Sequence, residues 1–112
     1  MAQIFVTGLQ RRDVVLTGAG SKILAFPGDM AGPVTLVAKS SSAGANNVEM
    51  TYSSEADIQA GSADWVAVDA SLTNVGSTRV AYAVLDTQGY PTAFRATWAA
   101  GTFEFAVQGI RA

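Results

Sequence analysis

Pro91-Thr92-Ala93-Phe94-Arg95-Ala96-Thr97-Trp98-Ala99-Ala100-Gly101-Thr102-Phe103-Glu104-Phe105-Ala106-Val107 is the stretch whose reading decides the fold. Side chains along a strand alternate between its two faces. Phe94, Ala96 and Trp98 therefore share one face, against Ala93, Arg95 and Thr97 on the other. In the second run Phe103, Phe105 and Val107 oppose Thr102, Glu104, Ala106 and Gln108. Two half-buried strands follow from that pattern. The short link Ala99-Ala100-Gly101 reads as a hairpin connection, with Gly101 at a positive-φ position.

Outward from this core the chain is a series of short β-like runs. They cover Ile4–Thr7, Val14–Thr17, Lys22–Phe26, Val34–Lys39, Asn47–Ser53, Trp65–Asp69 and Thr78–Asp86. Gly, Pro, Asn, Asp and Ser separate them, at Gly18 to Ser21, Pro27-Gly28-Asp29, Ser40 to Asn46 and Gly89-Tyr90-Pro91. Regular turn signals of this kind, with no helical period of useful length between them, predict an all-β fold. The expectation is an antiparallel β-sandwich or barrel of about eight strands, a single domain over residues 1–112. Residues 1–12 are expected as an N-terminal arm or swapped strand. Thr78–Asp86 is mostly apolar on both faces, with Val80, Tyr82 and Val84 against Arg79, Ala81 and Ala83. That predicts a central strand, or one whose outer face meets a partner. Ser53–Ser62 is expected as an acidic loop in preference to one helical turn capped by Ser53 or Ser54. Ala70–Ser77 is expected as a polar connection.

Composition narrows function. The 112 residues contain no Cys and no His, 14% are charged and 49% are hydrophobic. Triads and thiolate nucleophiles are therefore excluded, as are disulfides and thiolate metal sites. A formal charge of −2 and a pI near 4.8 leave no broad cationic surface for phosphate backbones, so no nucleic-acid partner is expected. No apolar run approaches the roughly 20 residues that span a bilayer, and no basic-then-apolar leader stands at the start. The expectation is a protein made in the cytoplasm with no membrane partner. Mean hydropathy is +0.25, high for a small domain with its large surface-to-volume ratio. That balance predicts apolar area which oligomerisation hides.

Few residues offer chemistry. Glu49, Glu55, Asp57, Asp64 and Asp69 are arithmetically enough for a carboxylate pair, but hydrated loop acids account for them better. Glu55, Asp57 and Asp64 match no Ca²⁺-loop spacing, so no metal, cofactor or catalytic residue is assigned. The aromatics Tyr52, Trp65, Tyr82, Tyr90 and Trp98 invite comparison with a sugar-stacking platform. Trp98, however, is in phase with the core face, and Trp65 suits an anchor over the end of a sandwich. Arg11, Arg12, Arg79, Arg95 and Arg111 read either as interface donors or as solubilising charges. Arg95 lies mid-strand opposite Phe94 and Trp98, so its head needs a carboxylate or carbonyl partner. The interface set is Phe5, Arg11, Arg12, Trp65, Arg79, Tyr82, Tyr90 and Arg95.

One resemblance covers about residues 34–110. The strand Val48-Glu49-Met50-Thr51-Tyr52-Ser53-Ser54 is followed by Ala60-Gly61-Ser62-Ala63-Asp64-Trp65-Val66 and then by the 91–107 stretch quoted first. This pattern resembles small β-sandwich virion proteins of tailed bacteriophages, including capsid decoration (cement) proteins and some tail or fibre components. The resemblance implies a non-catalytic homo-oligomer, a trimer favoured, on the capsid surface of the virion with the major capsid protein or other virion proteins as partners. It carries over no catalytic residue. Tail, baseplate or fibre components, and a lectin-like carbohydrate- or receptor-binding module using Trp65 and Tyr90, are the alternatives.

Overall fold

The structure is a computed structural model that describes residues 9–26, 30–41, 45–84 and 90–111. Its strands are β1 (Leu9–Thr17), β2 (Gly20–Ala25), β3 (Met30–Ser40), β4 (Asn46–Thr51), β5 (Val66–Ala67), β6 (Val80–Val84), β7 (Ala93–Trp98) and β8 (Thr102–Arg111). Among the described residues a short helix, α1 (Glu55–Ala60), and a 3-10 turn at Ala70–Leu72 complete the elements. The expected strand Ile4–Thr7 lies outside the described residues.

The pairings are nested. Leu9 pairs with Ile110, Gly20 with Trp98, Ala38 with Val80 and Glu49 with Ala67, so β1·β8, β2·β7, β3·β6 and β4·β5 enclose one another about α1. The chain is thus one long antiparallel hairpin with α1 near its tip. Rolling that hairpin up adds the pairs β3·β8 and β4·β7. Two four-stranded sheets result, β1-β8-β3-β6 and β2-β7-β4-β5. Eight strands wound this way into two sheets make a jelly-roll sandwich.

Both arms of the hairpin bend where they pass from one sheet to the other. Backbone bonds hold the bend: Gly18 N–H donates to the Gly101 carbonyl (3.0 Å), Ser41 N–H to that of Thr102 (2.9 Å) and Ser40 N–H to that of Gly76 (2.9 Å). Among the described residues every positive φ except that of Gly61 sits at this bend, on Gly18, Gly20, Asn74 and Gly101. Gly101, at φ 74, takes the conformation expected of it. The expected hairpin between its neighbours is corrected, since β7 and β8 lie in different sheets and pair with other strands. A Gly at a tight turn reads the same in sequence whether the chain folds back in one sheet or crosses to another.

The bend lets the two inner faces meet. Phe94, Ala96 and Trp98 of β7 and Val48 of β4 pack against Phe103, Phe105 and Val107 of β8 and Val34, Leu36 and Ala38 of β3. The Phe94 and Phe105 rings meet edge-on at 6.1 Å, a favoured aromatic geometry. Full burial of rings of this size is the main stabilising term, about 1.5–3 kcal/mol for each.

Three further expectations are corrected. Of the two readings of Thr78–Asp86 the central strand is the one corrected, since β6 is a sheet edge; Val80 and Tyr82 pack against the core while Ala81 and Ala83 are exposed. The segment 55–60 is helical, because the Ser54 hydroxyl accepts from Asp57 N–H (3.1 Å), Glu55 and Asp57 lie in the first turn, and Gly61 closes the end in a left-handed conformation. Those are the capping and dipole preferences of a helix start and stop, and the loop reading underweighted them. The 70–77 connection is not merely polar, since Leu72 and Val75 are core residues.

Asn46 fastens that connection. Its side-chain amide donates to the Val75 carbonyl (2.8 Å) and accepts from Val75 N–H (2.7 Å), imitating a strand partner inside the sandwich. Asn46→Ala strands both groups and is expected to cost about 2–4 kcal/mol in urea unfolding. Asn47→Ala, which removes the acceptor of one exposed bond from the Thr73 hydroxyl, should cost less than about 1 kcal/mol.

Candidate self-association surface

In each sheet a strand of the rolled hairpin is left at the edge. On one side β1 and β2 form a continuous ribbon of nine and six residues joined at Gly18-Ala19. On the other side stand β5, with two residues, and β6, with five. An open edge presents unpaired N–H and C=O groups to any second strand. Among the described residues the β5–β6 edge is short, and the 3-10 turn and the left-handed Asn74 interrupt it. The β1–β2 edge is long, and among the described residues nothing pairs with its outer side.

This ribbon also carries apolar side chains into solvent. Val15 is 61% exposed and Ile23 is 43% exposed. Val15 pairs with Glu104, whose side chain is on the outer face of the β1-β8-β3-β6 sheet; Ile23 pairs with Arg95, on the outer face of the other. Beside Val15 the first outer face holds a groove of about 250 Å³, lined in part by Val37 and Ala106 and bordered by an Arg79–Glu104 ion pair (3.1 Å). Both charged side chains of that pair are half exposed, so it shapes the groove more than it stabilises the fold.

The outer face of the second sheet is built around Arg95. Its Nε and one terminal nitrogen donate to the same Glu49 oxygen, at 3.1 and 2.9 Å. The guanidinium lies 4.5 Å from the centre of the Trp65 ring, within cation–π range. Side-chain exposures of 30% for Arg95 and 19% for Glu49 place the pair in a partly desolvated setting. The partner that the mid-strand position of Arg95 demanded is therefore Glu49, on the neighbouring strand β4.

The expected interface residues do not form one patch. Arg95 and Trp65 meet on one outer face, Arg79 stands on the other, and Tyr82 packs inward. Tyr90 stacks on Phe26 (4.5 Å, 23°), which in turn tilts against Phe94 at 6.0 Å. One face of each candidate stacking ring, Trp65 and Tyr90, is thus already covered by its own chain. The Arg11 and Arg12 backbones pair with Gln108 and Val107 within β1·β8, and Leu9–Arg12 belong to that strand. Phe5 lies outside the described residues. Val15 and Ile23 were missed. The signal for Val15 was the unbroken apolar run Val14-Val15-Leu16, in which one residue of an alternating strand has to face outward.

Among the candidate acids Glu49, Glu55 and Asp69 have side-chain partners within the chain. Glu55 accepts from the Gln59 amide (3.4 Å), and Asp69 caps the 3-10 turn by accepting from Ser71 N–H (2.9 Å). Hydrogen bonds from the Ser71 side chain and then its backbone hold the Asp69 carboxyl below its usual range. Among the described residues no three acids converge as metal ligands, and no helix is long and apolar enough to cross a membrane.

No protein-family model matches the chain, and no curated protein matches it in sequence. A solved structure described as a Bacillus endospore appendage, from a family of disulfide-linked pili, aligns over 100% of both chains at 10% identity with a TM-score of 0.47. A likeness this distant carries neither function nor partner to this chain, and with no Cys the chain has no counterpart to that disulfide linkage.

The Arg95–Glu49 contact is testable by a double-mutant cycle. Arg95→Met and Glu49→Gln should show a coupling of about 1 kcal/mol in urea unfolding, the upper end for ion pairs that keep some solvent. Arg95→Met should also shift the tryptophan emission, because it uncovers the Trp65 ring.

Proposed function

We propose that this chain is a non-catalytic structural subunit that works by associating with copies of itself. At finer grain, the reading is a capsid-decorating subunit of a tailed-phage virion, assembled as a homotrimer against the major capsid protein. The observation that carries the first statement is the β1–β2 edge, a long open ribbon with Val15 and Ile23 exposed on opposite outer faces. An edge of this kind invites pairing unless it is covered, and natural proteins rarely leave one unmanaged. A chain without His or Cys also lacks the commonest groups for acid–base and nucleophilic catalysis.

Adhesion would then be the mechanism. Burying apolar area yields roughly 25 cal/mol per Å² gross, and ordering costs remove much of it. Rigid strands suit this task because few side chains have to be ordered on contact. The finer reading rests on the resemblance of residues 34–110 to phage virion proteins.

Light scattering coupled to gel filtration tests the first statement. The expected result is an oligomer that Val15→Glu with Ile23→Glu weakens at least tenfold, while circular dichroism stays that of a β-protein. A monomer at every concentration sinks the proposal. Negative-stain images of closed three-fold particles would support the decoration reading, and open filaments would favour a tail or fibre component instead.

A further inference from the structure

We propose that the β1–β2 ribbon, residues 9–26, is exchanged between copies of this chain, each ribbon completing the sandwich of a neighbour. This rests on the self-association reading above and names the segment that performs it.

The ribbon is thinly integrated into the core. Among the residues whose burial is described, every buried hydrophobic of the core cluster comes from residue 34 onward, and residues 14–26 add Leu16, Leu24 and Phe26, all partly buried. Along β2 every residue but Leu24 is exposed. Lys22 pairs with Ala96, which places it in the register of the core-facing residues, yet it too is exposed. A cation at that register keeps β2 from packing down as a greasy strand does. Trp98, whose ring edge is 3.9 Å from where a Cβ on Gly20 would stand, has its indole N–H buried with no acceptor among the described residues.

Backbone pairing holds the ribbon instead, over the full β1·β8 and β2·β7 registers. Those bonds are indifferent to which copy supplies the strand. Only Pro27, Gly28 and Asp29 link the ribbon to β3, which begins in the opposite sheet. A three-residue link between elements of two different sheets favours extension into a neighbour, where the same strand pairings form. An exchanged ribbon also carries Val15 and Ile23 onto the second copy, where they would lie next to the junction between subunits.

The experiment uses the full chain with Ser21→Cys and Thr97→Cys. These two residues are exposed, pair directly across β2·β7, and would be the only thiols in the protein. Paired Cα atoms lie about 4.5–5.5 Å apart, so a short bis-maleimide bridges them. ¹⁵N-labelled and unlabelled protein are unfolded together, refolded, bridged and digested, and the 21–97 linked peptides are weighed. Exchange predicts that about half of them pair one labelled with one unlabelled strand, as random mixing of copies requires. Linked peptides of uniform label from a protein that gel filtration shows to be oligomeric would overturn the exchange and leave self-association standing. Uniform label from a monomer would overturn both. Failure to form any 21–97 link would also overturn it, since β2 would then lie beside no β7.

Discussion

The contact of Phe94 with Phe105 across the two sheets is the interaction on which the rest depends. Neither strand can bury its aromatic face in a flat sheet, because a lone sheet leaves one face to water. The chain reaches that contact by bending one long hairpin, and each crossing of the bend needs a local device. Gly18, Gly20 and Gly101 supply positive φ in the outer passes; Asn74, together with the Asn46 amide clasp on Val75, serves the inner one. These polar and glycine residues at the bend are the conditions under which the apolar core can close.

The outer faces follow from the same geometry. Central strands need few large outward residues, so β8 and β3 offer Ala106 and Val37 where β7 and β4 offer Arg95 and Glu49. One outer face therefore carries the groove, bordered by the Arg79–Glu104 ion pair, and the other is held by a salt bridge roofed with Trp65. Rolling a hairpin also leaves two edges that cannot be removed. One is cut short by the β5 and 3-10 geometry, while the other stays long. That difference directs attention to β1–β2 more firmly than any single side chain does.

Much of the fold was legible before any coordinates. Eight of the nine expected runs overlap strands of the structure, and the inward phases of Phe94, Trp98, Phe103 and Phe105 hold. The need of Arg95 for a charged or carbonyl partner was also legible, from its position alone. What was not legible shares a cause. The 99–101 link, the strand order that makes β6 an edge, and the identity of Glu49 as the partner all depend on residues distant in the chain. The α1 helix is the exception, for its Ser54 cap and Gly61 stop are local signals that were present and underweighted.

By itself the sequence determined an all-β chain without thiol or imidazole chemistry, and which face of each strong strand is apolar. Those properties are local, since alternation is read over a few residues and composition over all of them. Only the tertiary structure decided that neighbouring strands part into different sheets, and that Val15 and Ile23 stand on an open ribbon. Pairing between distant segments sets both, and a period of two says which face is buried without saying which strand lies beside it.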